Sequence, residues 1–440
     1  MKRALISLGC ALLAGSSLLL NAQNPYMPLW EHIPDGEPYV FDDPDQPGKK
    51  RVYVYGSHDS LVKYYCGREQ VVWSAPVDDL SSWRYDGRVY GYWGFGNSYA
   101  AELDPVTMCT VKPGTEIVVD MVSGRRQEGD FRFFEASSMR KIKDKYVFIF
   151  SRVSPAEEYG IGKSNYTLAY GYSDNPLGPF TYGGTLIDGR GRDTDANGRP
   201  IYTANPNGNT HGSICEINGK WWVFYHRQTG TDEYSRQAMV APIEVSVEEG
   251  KGGKVSISEA EFNSEGFATD GLNPLHKTPA GIACYLTGPE PYTDKFPNYF
   301  FSGSYIQVDR LDPESFVGPF NQKICLNPIV NNTSGSTVGY KYFNFDSLAG
   351  KSGVTFHAGI IPEGVDGTVT LLLGSPYQSK GGKEIGRFSV SASMPRQATE
   401  ASCAVVIPSD MAGKQPLFLL FNSPEKGKSI LTLSYFRFTL

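Results

Sequence analysis

The sequence predicts an all-β chain of two domains, a β-propeller followed by a β-sandwich of jelly-roll type. Three observations carry this. Almost no stretch keeps a 3.6-residue apolar period beyond two turns, whereas period-2 alternation and short aromatic runs recur throughout. Tyr, Phe and Trp make up 13% of the 440 residues, with 48 Gly and 29 Pro, a composition of strands and turns. Between about Asp35 and Glu261 a unit of short strands repeats at a spacing of roughly 40 to 55 residues, as in propeller blades whose innermost strands line a central channel.

Taken from the start, Lys2 and Arg3 precede an apolar run from Ala4 to Leu20 that ends in Asn21, Ala22 and Gln23. This pattern predicts a secretory signal peptide over 1–23, and so export to a periplasmic or extracellular location. A membrane anchor is disfavoured, because the run is short, contains Gly and Ser, and lacks a stop-transfer flank.

The repeats come next. The first reads PDGEPYVF, RVYVYGS and QVVWSAP; the second FFEASSMRKI, KYVFIFS and YTLAYGYS; the third THGSICEI, KWWVFYHR and RQAMVAPI. They open on Asp35, Glu135 and His211, and inner strands of a propeller bring such openers together on the axis. The polar turn in IKDKY and the Asn218-Gly219 pair in INGKW read as hairpin turns within a blade. Composition changes over 265–292, which places the domains at 24–280 and 281–440. Beyond the boundary, SGVTFHAGI, GTVTLLLGS, EIGRFSVSA, ASCAVVIPS, QPLFLLFNS and SILTLSYFRFTL alternate as sandwich strands.

A formal charge of −6 and the lack of any Lys/Arg run disfavour nucleic acid as a partner, and no membrane span is expected in the mature chain. The mature chain keeps Cys66, Cys109, Cys215, Cys284, Cys325 and Cys403 without CxxC or metal-like spacing, which reads as mostly free, buried thiols. A monomer is expected.

Over roughly 24–265, NPYMPLWEHIPDGEPYVF with YGSHD, RFFEASSMRKIKDKYVFIFS, and THGSICEINGKWWVFYHRQ with SRQAMVAPI resemble glycoside hydrolase family 43. These are five-bladed propeller enzymes acting on arabinose, xylose and galactose glycans. The resemblance implies an inverting glycosidase acting on a polysaccharide or oligosaccharide, of α-L-arabinofuranosidase or β-xylosidase type. Asp35 matches the general base and Glu135 the general acid. Inversion needs two carboxylates because one deprotonates water while the other protonates the leaving oxygen on the opposite face. Read without the resemblance, Asp35 is equally a turn residue in Pro-Asp-Gly. His211 matches the axial histidine that faces a calcium ion, directly or through water, so structural calcium is the implied cofactor; a hydrogen-bonded core histidine is the alternative. His58 in YGSHD and Arg227 in YHRQ are candidates for contact with sugar hydroxyls or, equally, structural hydrogen-bonding residues.

One departure stands out. The family's third carboxylate, in an Asp-Pro-[Ser/Ala]-Val-Phe motif, is not found, and at Asp86-Gly87-Arg88 the first repeat runs directly into RVYGYWG. A blade is expected to be missing there. Three readings stay open: a gapped or rearranged propeller, Asp79 as a substitute carboxylate, or a catalytically weakened glycan-binding protein. Asp104 is a poorer substitute. The stretch NNTSGSTVGYKYFNF and the strands after it resemble a carbohydrate-binding module of family 6 over roughly 290–440. That implies either a sugar-binding domain or one that packs on the propeller.

Overall fold

A computed structural model describes residues 24–29, 31–43, 46–59, 70–87, 97–100, 118–175, 178–205, 208–230, 235–289, 303–308 and 327–440. The expected signal peptide, Cys66, Cys109, Cys325 and Asp104 lie outside these residues. Among the described residues no helix is long and apolar enough to cross a membrane.

The first repeat folds as a four-stranded antiparallel sheet in chain order: β1 (Glu37–Asp42), β2 (Lys50–Ser57), β3 (Gln70–Pro76) and β4 (Arg84–Gly87). Residues 77–83 form a turn before β4, in which exposed Asp79 caps Ser81 N–H and Oγ. Its side chain is engaged locally, so Asp79 does not serve as an inner-strand carboxylate. A short pair follows, β5 (Tyr99–Ala100) with β6 (Val118–Val119).

The second repeat is again four-stranded: β7 (Phe133–Ile142), β8 (Lys145–Ser154), β9 (Ser164–Ser173) and β10 (Thr181–Asp188). A hairpin of β11 (Arg192–Thr194) and β12 (Pro200–Tyr202) leads to the third repeat, β13 (Ser213–Ile217), β14 (Lys220–Gln228) and β15 (Arg236–Ile243). Asn218 and Gly219 both take positive φ, 52° and 73°, as a two-residue hairpin loop between twisted strands requires. A hairpin of β16 (Val245–Val247) and β17 (Val255–Ile257) closes this half.

Packing places the third blade between the other two. One of its faces, with Cys215, Trp222, Phe224, Ala238 and Val240, covers Val52, Val54 and Trp73 of the first blade. The opposite face, with Ile214, Val223, Tyr225 and Met239, covers Ile149, Leu168 and Tyr170 of the second. Alternation along β14 makes this possible, since Trp222 and Phe224 point one way and Val223 and Tyr225 the other. The inner strands also meet directly: Ser138 Oγ and Ser213 Oγ are 2.6 Å apart, and Arg140 donates to Glu37 at 2.9 Å and to the Ile214 carbonyl at 3.0 Å.

The chain enters the second domain slightly ahead of residue 280, through a bridge from Leu272 to Phe343 and β18 (Thr278–Pro279) paired with the last strand. There follow β19 (Tyr285–Thr287), β20 (Tyr305–Ile306), β21 (Ile329–Val330), β22 (Thr337–Asn344), β23 (Thr355–Pro362), β24 (Gly367–Leu373), β25 (Lys383–Val390), β26 (Thr399–Ala404), β27 (Lys414–Asn422) and β28 (Leu431–Thr439). They form two facing sheets, ordered β20-β21-β28-β23-β26 with β18 on β28, and β19-β22-β27-β24-β25. Phe356, Phe436 and Phe438 from one sheet meet Val369, Leu371 and Leu419 from the other in a single core. The fold is thus all-β, blades followed by a sandwich.

Candidate active site

Each of the three openers reaches its place through a local departure from regular strand. Asp35 has φ of 62°, a left-handed conformation that aspartate tolerates better than most residues. Gly56 on β2 lets this segment approach: a Cβ there would stand 2.8 Å from the Pro34 carbonyl oxygen and collide with Ile33. Glu135 sits in a bulge of β7, where the register with β8 shifts on both sides and Ala136 takes φ of 62°. Such bulges re-aim a side chain. After His211, a Cβ on Gly212 would strike the Phe224 carbonyl, so only glycine lets this turn close onto β14.

The structure brings all three openers together. His211 Nδ1 faces Asp35 Oδ1, and Nε2 lies 3.3 Å from Glu135 Oε1, so one imidazole bridges two carboxylates. Asn209 Nδ2 also donates to Glu135 Oε1. Ser57 Oγ donates to Asp35 Oδ2 at 2.5 Å, and Arg236 Nη1 stands 3.8 Å from Oδ1. Arg236 is itself buried and gripped in two-pronged fashion by buried Asp59, at 2.5 and 2.6 Å. Behind the site, His226 Nδ1 accepts the backbone N–H groups of Asp35 and His211, both at 3.4 Å, while Nε2 donates to the Asn209 carbonyl at 2.9 Å.

Charge follows from this packing. Burial alone would raise the Asp35 carboxyl, yet the His211 and Arg236 charges beside it hold it well below the usual carboxylate range. Burial would lower His211, but Asp35 and Glu135 together push it up to about 10. His226 goes the other way: burial, reinforced by Arg236, keeps it neutral.

Two candidates lie elsewhere. His58 turns Nε2 to Glu31 at 3.0 Å, a carboxylate that also accepts from Trp73 Nε1 at 2.8 Å. Arg227 donates to Gln237 Oε1, to the Ala283 carbonyl at 2.6 Å and to the Gly281 carbonyl, tying β14 to the second domain. Both make the structural hydrogen bonds that were the open alternative to a place at the sugar, and the reason is strand alternation: their neighbours Ser57, Asp59 and His226 face the site. Ser57, Asp59, Asn209, His226 and Arg236 are the residues that the sequence reading passed over, although each lies in or beside a stretch singled out there.

Direct coordination of calcium by His211 does not fit the residues in place. Both ring nitrogens of His211 are turned to carboxylates, which leaves no lone pair for an ion to bind directly. Among the described residues no group of three or more His, Cys, Asp and Glu side chains is arranged to hold a metal. Calcium would want six to eight oxygens.

Against known proteins, no family model matches the chain. A xylosidase/arabinosidase of Thermoclostridium stercorarium is 29% identical over 424 residues, 73% of this chain and 82% of that protein. The resemblance to glycoside hydrolase family 43 stands. A β-xylosidase of Xylanibacter ruminicola is 32% identical over 139 residues, 31% of this chain and 36% of that one. Among solved structures, a family 43 arabinoxylan arabinofuranohydrolase from Bacillus subtilis aligns over 95% of this chain and 97% of its own at 14% identity, with a TM-score of 0.37. The architecture is therefore read from the strand pairing described above.

Proposed function

We propose that this chain is an exported glycoside hydrolase that removes arabinofuranosyl or xylosyl residues from polysaccharide or oligosaccharide with inversion at the anomeric carbon. The observation that carries this is Asp35 and Glu135 on opposite nitrogens of one imidazole. Carboxylates set at contact distance from the two nitrogens of one ring stand on the order of 7 Å apart. That is the interval of an inverting pair, roughly 6.5–9.5 Å, rather than the roughly 5–5.5 Å of a retaining one. Names of the relatives point to the same sugars, and export rests on the Lys2-Arg3 leader.

In this reading the sugar displaces His211 from the interval. Asp35, kept ionised by Arg236, takes a proton from water; the water oxygen bonds to the anomeric carbon as its bond to the leaving oxygen breaks, and Glu135 delivers its proton to that oxygen. Asn209 orients Glu135, and Ser57 orients Asp35. Buried oxygens without a partner among the described residues, Asn209 Oδ1 and Thr210 Oγ1, supply acceptors for sugar hydroxyls.

A second reading, a glycan-binding protein with weakened or no catalysis, is favoured by one observation: His211 occupies the place where the attacking water belongs. Assays on p-nitrophenyl α-L-arabinofuranoside, β-D-xyloside and β-D-galactoside separate the two. Turnover of at least one, with the opposite anomer seen first by proton NMR, is the expected result. No turnover of any, with polysaccharide still retained, leaves the binding reading.

A further inference from the structure

A face of the first blade carries aromatic rings that the catalytic reading does not use. Tyr39 and Phe41 alternate onto one side of β1, and Tyr53 and Tyr55 of β2 join them through the register that sets Tyr39 opposite Tyr53. Ring centres are 5.9 Å apart for Tyr39–Phe41, with planes within 13°, and 5.8 Å for Phe41–Tyr53. Tyr39 is 40% exposed and Phe41 48%. The other large apolar side chains exposed among the described residues lie at or beyond residue 275, so this is the one place on the blades where such side chains are displayed as a pair.

The ridge is braced and electrically neutral. Arg140, itself nearly buried, lies 4.4 Å over the Tyr39 ring, donates to Tyr39 Oη at 3.2 Å and pairs with Glu37 at 2.9 Å. Its charge is thereby cancelled, and Tyr39 is held in one orientation. A neutral, rigid aromatic pair matches the C–H faces of uncharged sugar rings and offers nothing to a polyanion.

We propose that Tyr39 and Phe41 form a second glycan-binding surface, apart from the Asp35–Glu135 site, that takes the uncharged main chain of a β-1,4-linked xylan. The choice of polymer rests on the glycosidase reading above; the surface itself does not. It would hold the polymer while side-chain residues are presented to the site that Glu37 adjoins, two residues after Asp35.

The test is affinity electrophoresis of the full chain in soluble arabinoxylan, with polygalacturonate as the charged control. The wild type is retarded by arabinoxylan alone; Tyr39→Ala/Phe41→Ala weakens the apparent affinity at least threefold, and Phe41→Trp, which keeps a ring, does not. Hydrolysis of the aryl glycosides stays within twofold of wild type in both variants. Unchanged retardation of the double variant overturns the proposal, as does retardation by polygalacturonate. A wild-type dimer that the double variant abolishes, seen by light scattering, also overturns it, because a second copy then covers the ridge. Retardation lost in the double variant while the wild type hydrolyses nothing upholds the surface and removes the glycosidase reading. Hydrolysis without ring-dependent retardation does the reverse.

Discussion

Nε2 of His211 lies 3.3 Å from Oε1 of Glu135, and this single ring also faces Asp35 through its other nitrogen. The group opening the third repeat thus joins those opening the first and second. Without a sugar, the site is closed on itself by one imidazole set between two carboxyl groups.

Glu135→Gln should lower kcat about 10²- to 10⁴-fold on substrates whose leaving oxygen needs a proton, because general acid catalysis contributes on that scale. With 2,4-dinitrophenyl glycosides, which leave without protonation, the loss should be far smaller. A leaving-group series on both proteins measures this, and equal losses across it would remove Glu135 from the acid role.

Removal of divalent metal should have little effect. With both His211 nitrogens facing carboxylates, dialysis against EDTA is expected to leave the melting temperature and the aryl glycosidase rate unchanged. A fall in melting temperature reversed by calcium would show that an ion is held by this chain.

Arg227→Met should destabilise the chain by about 3 kcal/mol, since it strips a buried donor from Gln237 and from the Gly281 and Ala283 carbonyls. Arg227→Lys should not rescue it, because an ammonium cannot match the planar fork that serves three acceptors. Urea unfolding checks both, and a two-step transition in the Met variant would show the domains coming apart.

Glu265 supplies a pH dependence. It is buried beside the domain junction, 2.8 Å from Lys414, and burial outweighs that ammonium to push its carboxyl up to about 7. A folded pKa raised above the unfolded value of 4.5 means that its stabilising contribution is complete below about pH 4.5 and is lost as pH rises through about 7. The loss between pH 5 and 8 should be on the order of 2 kcal/mol. Glu265→Gln should remove that part of the slope, as read from denaturant midpoints across the same range.

The fold was largely legible because its signals are local. Period-2 alternation marked β7, β8, β14 and β23 to β28, and Asn218-Gly219 marked its hairpin through the positive φ both residues take. The openers Asp35, Glu135 and His211 were legible by their place in the repeat. Two motifs were left open between a sugar contact and a structural role. In YGSHD the groups at the site are Ser57 and Asp59, not His58; in YHRQ it is His226, not Arg227. A strand sends adjacent side chains to opposite faces, and which face meets the axis is not written in the four or five residues of a motif.

From the sequence alone came the all-β class, the two domains, the repeat and the three groups that open it, since each is set by periodicity, turn chemistry or spacing along the chain. Only the tertiary structure decided that the third blade lies between the first and the second, that Arg236 with Asp59 guards Asp35, and that Arg227 belongs to the domain junction. Those relations join residues distant in sequence, Arg236 and Asp59 being 177 positions apart, and they depend on which sheet face is buried against which.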